Sequence, residues 1–265
     1  MLAVLAITAC YSPSPSPGAP CGPGGLCPAG LRCSAGLCVV DELPADASDP
    51  DAPSDSLEPP PDVARTRWNL VASAGSLGTS VVITPTQQTH TLLVGIETSA
   101  VGSVTGVTDD AGNTYAPIPA SRAVNTGINA VEVWIASDIK DGATKVSAAG
   151  TAVGAVVVWE VANLSLLAPV VDVGTANTQP SSTTPKGVEL ALTERGQFML
   201  SLLLVQNVVS GLTAGSAFTN DHTTFGNGWA HLTDDDAPVG SYQATWNQPM
   251  SGTSCAVSVV LRVAD

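Results

Sequence analysis

Acidic side chains and histidines gather near the C-terminal end of the chain. Asp221 and His222 precede the loop-like run Thr-Thr-Phe-Gly-Asn-Gly, His231 follows it, and three aspartates come directly before Ala-Pro: Asp234, Asp235 and Asp236. Ca²⁺ takes six to eight oxygen ligands in a flexible geometry, so loop carboxylates of this kind are candidates to bind it. Asp221 with Asp234–Asp236 is therefore a candidate calcium site. The alternative is that these are solvated turns whose Asp side chains accept hydrogen bonds from backbone amides.

Aromatic rings in the same region suggest a second kind of chemistry. A flat ring can stack on the apolar face of a sugar while neighbouring amides and carboxylates bind its hydroxyls. The candidate residues for such a site are Phe225, Asn227, Trp229, Tyr242 and Trp246. Trp229, beside Asn227 and Gly228, is the best candidate for an exposed platform. The alternative for Trp229 is a core position at the start of a strand.

Signatures of covalent catalysis are absent from the sequence. The chain has no Gly-x-Ser-x-Gly motif, and His90, His222 and His231 stand in no hydrolase pattern. We therefore predict that the protein is not an enzyme. A hydrolase that uses a pair of carboxylates remains the alternative, because any two of the Asp and Glu residues can meet in the fold.

Composition excludes two classes of protein. The chain of 265 residues is 44% hydrophobic and has a net charge of −14, with only 9 Lys and Arg. It lacks the basic surface that binding to nucleic acid requires. No apolar run reaches the ~18 residues that a membrane-spanning helix needs. At least one packed domain is expected.

The first ten residues are predicted to be a lipoprotein signal peptide. They are uncharged and end in Ile7-Thr-Ala-Cys10, which resembles the bacterial lipobox. The resemblance implies that Cys10 is acylated and anchors the protein to a membrane of the cell envelope. Because Tyr11 rather than Asp follows Cys10, the outer membrane or cell surface is favoured. No Lys or Arg precedes Arg32, which suggests a start further upstream; the alternative is a stray apolar strand or a disulfide at Cys10.

Residues 11–38 form a segment rich in Pro, Gly and Cys. Four cysteines stand at even spacings, Cys21, Cys27, Cys33 and Cys38, among residues too small to build a core. We expect two disulfides in an oxidising compartment. Three pairings are possible, and we favour the interleaved one, Cys21–Cys33 with Cys27–Cys38. A four-Cys zinc site is the alternative, although no CxxC pair is present.

The same segment resembles the small Cys-rich modules that follow the anchor in many bacterial surface lipoproteins, some of them similar to dickkopf-type repeats. That resemblance implies a role as a spacer or an interaction module. Residues 39–64 then combine eight Asp and Glu with six Pro and no basic residue. We predict a disordered, extended linker. An acidic calcium-binding patch is the alternative for this stretch.

Residues 65–265 are predicted to form an all-β domain, a two-layer β-sandwich with jelly-roll-like connections. Val, Thr and Gly are frequent, and turn signals recur about every ten residues. Alternation is clear in residues 131–136 and 255–262, whereas 155–159 and 199–205 are apolar on both faces, as in central strands under other layers. Cys255 is expected to be a buried apolar side chain.

One motif links this domain to other proteins. The run Val107-Thr-Asp-Asp-Ala-Gly-Asn-Thr-Tyr115 predicts a tight hairpin. Together with Val131-Glu-Val-Trp134 and Trp246 it resembles a β-sandwich module common in secreted bacterial proteins. The resemblance implies binding, since those modules occur beside adhesion and carbohydrate-binding modules. The expected partner is a polysaccharide; the alternative is a structural or protein-interaction role with another envelope protein.

Overall fold

The computed structural model describes residues 21–22, 24, 26–27, 31–40, 66–99, 102–223 and 226–265. These residues form antiparallel sheets, which confirms the predicted all-β class. No helix among them is long and apolar enough to cross a membrane. Two compact units divide the chain, residues 1–61 and 62–265. The predicted signal peptide with Cys10, and nearly all of the predicted linker, lie outside the described residues.

The N-terminal unit contains a short hairpin. Strand β1 (Leu31–Ser34) pairs with β2 (Leu37–Val40). The turn residues Ala35 and Gly36 both have positive φ, 51° and 85°. A two-residue turn with this geometry matches the twist of the strands it joins.

Two disulfides cross-link this unit. They join Cys21 to Cys33 and Cys27 to Cys38. The favoured interleaved pairing is therefore confirmed. The sulfur atoms of Cys21, Cys27 and Cys38 lie close enough together to hold a metal ion, but all of them are used in these bonds.

The first half of the large unit forms two sheets. Sheet A has the order β3-β11-β5-β9-β7, with β8 also paired to β9, and sheet B has the order β4-β10-β6. The strands are β3 (Asn69–Leu77), β4 (Ser80–Val82), β5 (Thr91–Ser99), β6 (Val104–Asp109), β7 (Ala116–Pro117), β8 (Ala123–Asn125), β9 (Asn129–Ala136), β10 (Lys145–Gly150) and β11 (Val153–Ala162).

The second half also forms one large sheet with smaller ones. Sheet C has the order β12-β20-β14-β17-β16, and two short pairs, β13-β18 and β15-β19, accompany it. The strands are β12 (Val170–Ser182), β13 (Leu190–Leu192), β14 (Phe198–Val205), β15 (Gly211–Leu212), β16 (Phe218–His222), β17 (Gly228–Leu232), β18 (Gly240–Tyr242), β19 (Trp246–Asn247) and β20 (Gly252–Leu261).

The two halves have the same topology. The strands of each half can be numbered 1 to 8 along the chain, with β7 and β8 counted as one strand and β18 and β19 as another. The large sheet of each half then has the order 1-8-3-6-5. In each half, strand 7 pairs with strands 2 and 4 outside that sheet. Apart from strand 5, which pairs with strand 6 rather than with strand 4, this is the strand order of a jelly roll. The large unit is therefore two jelly rolls in tandem, residues 69–162 and 170–261.

The large sheets of the two jelly rolls pack face to face. Their shared core contains Leu93, Val133 and Trp159 from sheet A and Leu202 and Val257 from sheet C. A second core lies between sheets A and B, and a third covers the outer face of sheet C. The predicted two-layer sandwich corresponds to the central pair, sheets A and C. Because further strands also cover the outer faces of these two sheets, β11 and β14 are apolar on both faces.

Residues 107–115 form a turn but not a hairpin. Strand β6 before the turn pairs with β10 in sheet B, while β7 after it pairs with β9 in sheet A. The Asp109 carboxylate accepts hydrogen bonds from the N–H groups of Ala111 and Asn113, both at 3.0 Å, and from the Tyr115 hydroxyl at 2.8 Å. The turn prediction is confirmed and the hairpin prediction is wrong, because the chain changes sheets here.

Candidate ligand-binding cleft

A cleft opens at one end of the central core, between the two jelly rolls. Its volume is about 530 Å³. Strand β5 ends there, β9 begins there, and β14 runs into it from the second jelly roll. The polar side chains of its wall are Glu97, Asn129, Gln206, Asn207 and Asn227, and the apolar ones are Ile128, Val205, Val208, Pro249 and Met250.

Glu97 reaches the cleft because of strand alternation. Leu93, Gly95 and Glu97 share the face of β5 that packs against sheet C. Leu93 is fully buried in the core, and Gly95 packs against Leu202 and Trp229 of sheet C. Glu97 follows on the same face and lines the cleft. Only 7% of Glu97 is exposed.

Asn227 connects Glu97 to the second jelly roll. Its Nδ2 donates to Glu97 Oε2 at 2.9 Å, and its Oδ1 accepts from the backbone N–H of Val205 at 3.0 Å. Both hydrogen bonds are buried. The carboxylate is thus held by an amide whose own orientation is fixed by β14.

Burial raises the pKa of Glu97 above its ordinary value. Hydrogen bonds from Asn129 and Asn227 oppose this shift by stabilising the carboxylate, but burial is the larger effect. Among the described residues, no Lys or Arg lines the cleft. The carboxylate is therefore solvated by amides and lacks a cationic partner in the cleft wall.

Asn129 has a hydrogen-bond acceptor that the protein leaves unused. The residue is 5% exposed, and its Oδ1 is buried with no partner among the described residues. Nearby in sequence, Asn125 is fully buried, and its side-chain amide has no partner at either atom. Asn129 lines the cleft, while its Oδ1 atom is covered by the protein.

Two other buried glutamates serve the fold. Glu132 faces sheet B, where it accepts from Arg122 at 3.0 Å and from the indole N–H of Trp134 at 2.8 Å. Glu160 binds His90 Nδ1 at 2.8 Å and also accepts from a backbone N–H. Neither lines the cleft.

The aromatic platform expected at Trp229 is not present. Trp229 and Trp246 are fully buried, because β17 and β19 carry them into the cores on the two faces of sheet C. Tyr242 is partly exposed and donates its hydroxyl to the Pro238 carbonyl at 2.9 Å. Phe225 lies outside the described residues. Of this set, Asn227 is the residue that the structure places in the cleft.

The structure does not bring the candidate calcium ligands together. The side chain of Asp221 is 4% exposed and accepts from His231 Nδ1 and from Trp159 Nε1, both at 2.8 Å. Asp235 pairs with Arg67 at 2.9 Å, and Asp236 pairs with Arg195. Among the described residues, the one group of three metal-binding side chains is formed by disulfide cysteines.

The three aspartates instead organise a surface turn. Asp234 accepts a hydrogen bond from the backbone N–H of Asp236 at 2.9 Å, which is the capping role stated as the alternative.

The indole of Trp246 donates to Asn220 at 3.2 Å, one residue before Asp221. Strand β16 therefore contributes acceptors to two buried indoles.

Comparison with protein-family models, with curated proteins and with solved structures found no match. The geometry of the cleft therefore carries the functional argument. Alternation along β5 was the signal that could have identified Glu97, since this glutamate has the same parity as Leu93 and Gly95. For Asn129, the sequence contains no equivalent signal.

Proposed function

We propose that this protein is a lipid-anchored binding protein of the bacterial cell envelope, and that its tandem jelly rolls bind carbohydrate in the cleft between them. The lipobox ending in Cys10 supports the anchor. The two disulfides fit an oxidising, extracytoplasmic compartment. The acidic linker would hold the large unit away from the membrane.

The cleft chemistry carries the proposal. Glu97, Asn129 and Asn227 provide carboxylate and amide groups of the kind that bind sugar hydroxyls. Val208 and Met250 are 58% and 63% exposed, so they offer an apolar surface to the C–H face of a sugar ring. The central observation is the buried carboxylate of Glu97 in the wall of this cleft, which the side-chain amide of Asn227 holds at 2.9 Å.

Binding is favoured over hydrolysis. A glycosidase of the usual kind needs two carboxyl groups about 5–10 Å apart. Among the described residues, the cleft wall provides Glu97 as its one carboxylate. The described cleft wall therefore has hydrogen-bonding groups that can recognise a sugar, but it has one carboxyl group where hydrolysis requires two.

A glycan array probed with the purified full chain in mild detergent tests the proposal. We expect specific glycans to bind, and calorimetry to show binding weakened about tenfold or more in Asn129→Ala and several-fold in Met250→Ala. The matched control is Asn69→Ala, which changes an exposed asparagine outside the cleft. Circular dichroism and urea unfolding of each variant would report on its fold. No glycan binding by the folded wild-type chain, or equal weakening by Asn69→Ala, would overturn the proposal.

A further inference from the structure

We infer that the cleft selects a carbohydrate that carries primary ammonium groups, namely a polymer of glucosamine. This inference rests on the proposed function and adds the charge and the donor count of the ligand. It follows from three features of the cleft: a buried carboxylate without a cation, an excess of acceptors over donors around it and an apolar rim.

The first feature is the uncompensated charge of Glu97. A carboxylate that is 7% exposed has lost most of its hydration, and a cation that binds it restores part of that stabilisation. No Lys or Arg of the described cleft wall does so. Arg122 is engaged elsewhere, since it binds Glu132 at 3.0 Å and the Gly102 carbonyl at 2.6 Å. The cleft therefore has a place for one positive charge from outside.

The second feature is the excess of acceptors over donors. Asn227 uses both ends of its amide on Glu97 and Val205, whereas Asn129 Oδ1 has no donor. An ammonium group brings three N–H donors and no acceptor, while a hydroxyl brings one donor. Because Asn227 has no further donor directed at it, the Glu97 carboxylate is thus better satisfied by an ammonium than by a hydroxyl.

A divalent cation fits this cleft less well. Ca²⁺ takes six to eight oxygen ligands, commonly from several carboxylates. Among the described residues, Glu97 belongs to no group of three metal-binding side chains. The available acceptors are too few for such an ion but match the donors of an amine.

The third feature is the rim formed by Val208 and Met250, both strongly exposed. A pyranose ring can lay its C–H face on these side chains while its amino group points toward Glu97. A small inorganic cation would leave this apolar surface uncovered. The combination favours an amine carried on a sugar ring.

Calorimetry with three matched oligosaccharides tests the inference. The β-1,4-linked tetramers of glucosamine, N-acetylglucosamine and glucose differ at C2, which carries an ammonium, an acetamide or a hydroxyl. At about pH 6.5, below the ordinary pKa of an amine, we expect the full chain to bind the glucosamine tetramer about tenfold more tightly than the other two. In Glu97→Gln this preference should disappear. Asn129→Ala, as a second variant, should reduce the preference without reversing it.

The control separates the cleft from the overall charge. Because the chain has a net charge of −14, any cationic polymer is attracted weakly to its surface. Glu189→Gln removes one exposed carboxylate outside the cleft and should leave the preference unchanged. Equal loss in Glu189→Gln and Glu97→Gln would overturn the inference.

The outcomes also separate the inference from the proposed function. Equal binding of the three tetramers, or tighter binding of an uncharged one, would overturn the ammonium inference and leave carbohydrate binding in place. Absence of binding to these tetramers and to every glycan of the array would overturn both.

Discussion

The side-chain amide of Asn227, in the second jelly roll, donates to the carboxylate of Glu97, in the first, at 2.9 Å. This hydrogen bond crosses the interface between the two large sheets and forms part of the cleft wall. Each jelly roll therefore contributes one side of the cleft. The cleft depends on how closely and in what register the two sheets pack, and that packing can be tested.

Gly95 allows the two large sheets to approach each other. A Cβ at this position would lie 2.7 Å from Leu202 and 2.8 Å from Trp229. We expect Gly95→Ala to lower the free energy of unfolding by about 1–3 kcal/mol, because the added methyl group overpacks the shared core. Urea unfolding followed by tryptophan fluorescence would measure it. Gly106→Ala is the control, since nothing lies within 4 Å of the added Cβ there; equal stability of the two variants would contradict the prediction.

Asp221 serves as a buried acceptor between the jelly rolls. Its carboxylate binds His231 Nδ1 and the indole N–H of Trp159, which belongs to the other jelly roll. We expect Asp221→Ala to destabilise the protein by about 3 kcal/mol, because two buried donors lose their acceptor. Thermal and urea unfolding would measure the loss. Asp141→Asn, at an exposed position, should change the free energy of unfolding by less than about 0.5 kcal/mol. A similarly small effect of Asp221→Ala would show that water can replace the hydrogen bonds of Asp221 to His231 and Trp159.

Glu97 should lower the free energy of unfolding as the pH rises, whereas an acid in a salt bridge raises it. Because burial raises its pKa, the folded protein binds a proton more tightly than the unfolded chain does. Its destabilising effect is therefore absent below the unfolded pKa and grows as the pH rises through the folded pKa. We expect Glu97→Gln to become more stable relative to wild type as the pH rises from below to above the ordinary pKa of a glutamate. Urea unfolding across this range tests it, with exposed Glu189→Gln as control; parallel curves for wild type and Glu97→Gln would contradict it.

Local sequence pattern predicted much of the fold. Alternation and apolar runs located β9, β11, β14 and β20, and the burial of Cys255 is confirmed. The pattern succeeded there because a strand between two layers must be apolar on both faces, and this requirement is visible within a few residues. It failed at Asp109, since the same turn residues serve a hairpin and a crossing between sheets.

The cleft depends on contacts distant in sequence. Glu97 and Asn227 are 130 residues apart, and no local pattern indicates that they meet. Trp229 was a candidate platform because Asn227 and Gly228 precede it. The ring is instead buried in β17, which begins at Gly228, and this confirms the alternative of a core position at the start of a strand. The tandem topology likewise has no local signature in the sequence, because strand order depends on pairing between strands that are distant in the chain.

The disulfide pairing of the N-terminal unit can be checked on the native protein. Cleavage after Leu26, Arg32 and Leu37 separates the four cysteines into different peptides. We expect mass spectrometry without reduction to find Cys21 linked to Cys33 and Cys27 linked to Cys38. The same digest after reduction is the control. Cys21 linked to Cys27, or free thiols with bound zinc, would contradict this pairing.

Cys10 is predicted to hold the protein at the membrane. Acyl chains contribute about 0.8 kcal/mol for each buried methylene group, so several chains on one cysteine give stable anchoring. We expect Cys10→Ser to move the protein from the membrane fraction to the soluble fraction of the producing cells. Mass spectrometry of the wild-type N-terminal peptide should show an acylated cysteine. Tyr11→Ala, which leaves Cys10 in place, is the control and should stay with the membrane. Retention of Cys10→Ser in the membrane fraction, together with an unmodified Cys10 in the wild type, would remove the anchor from the proposed function.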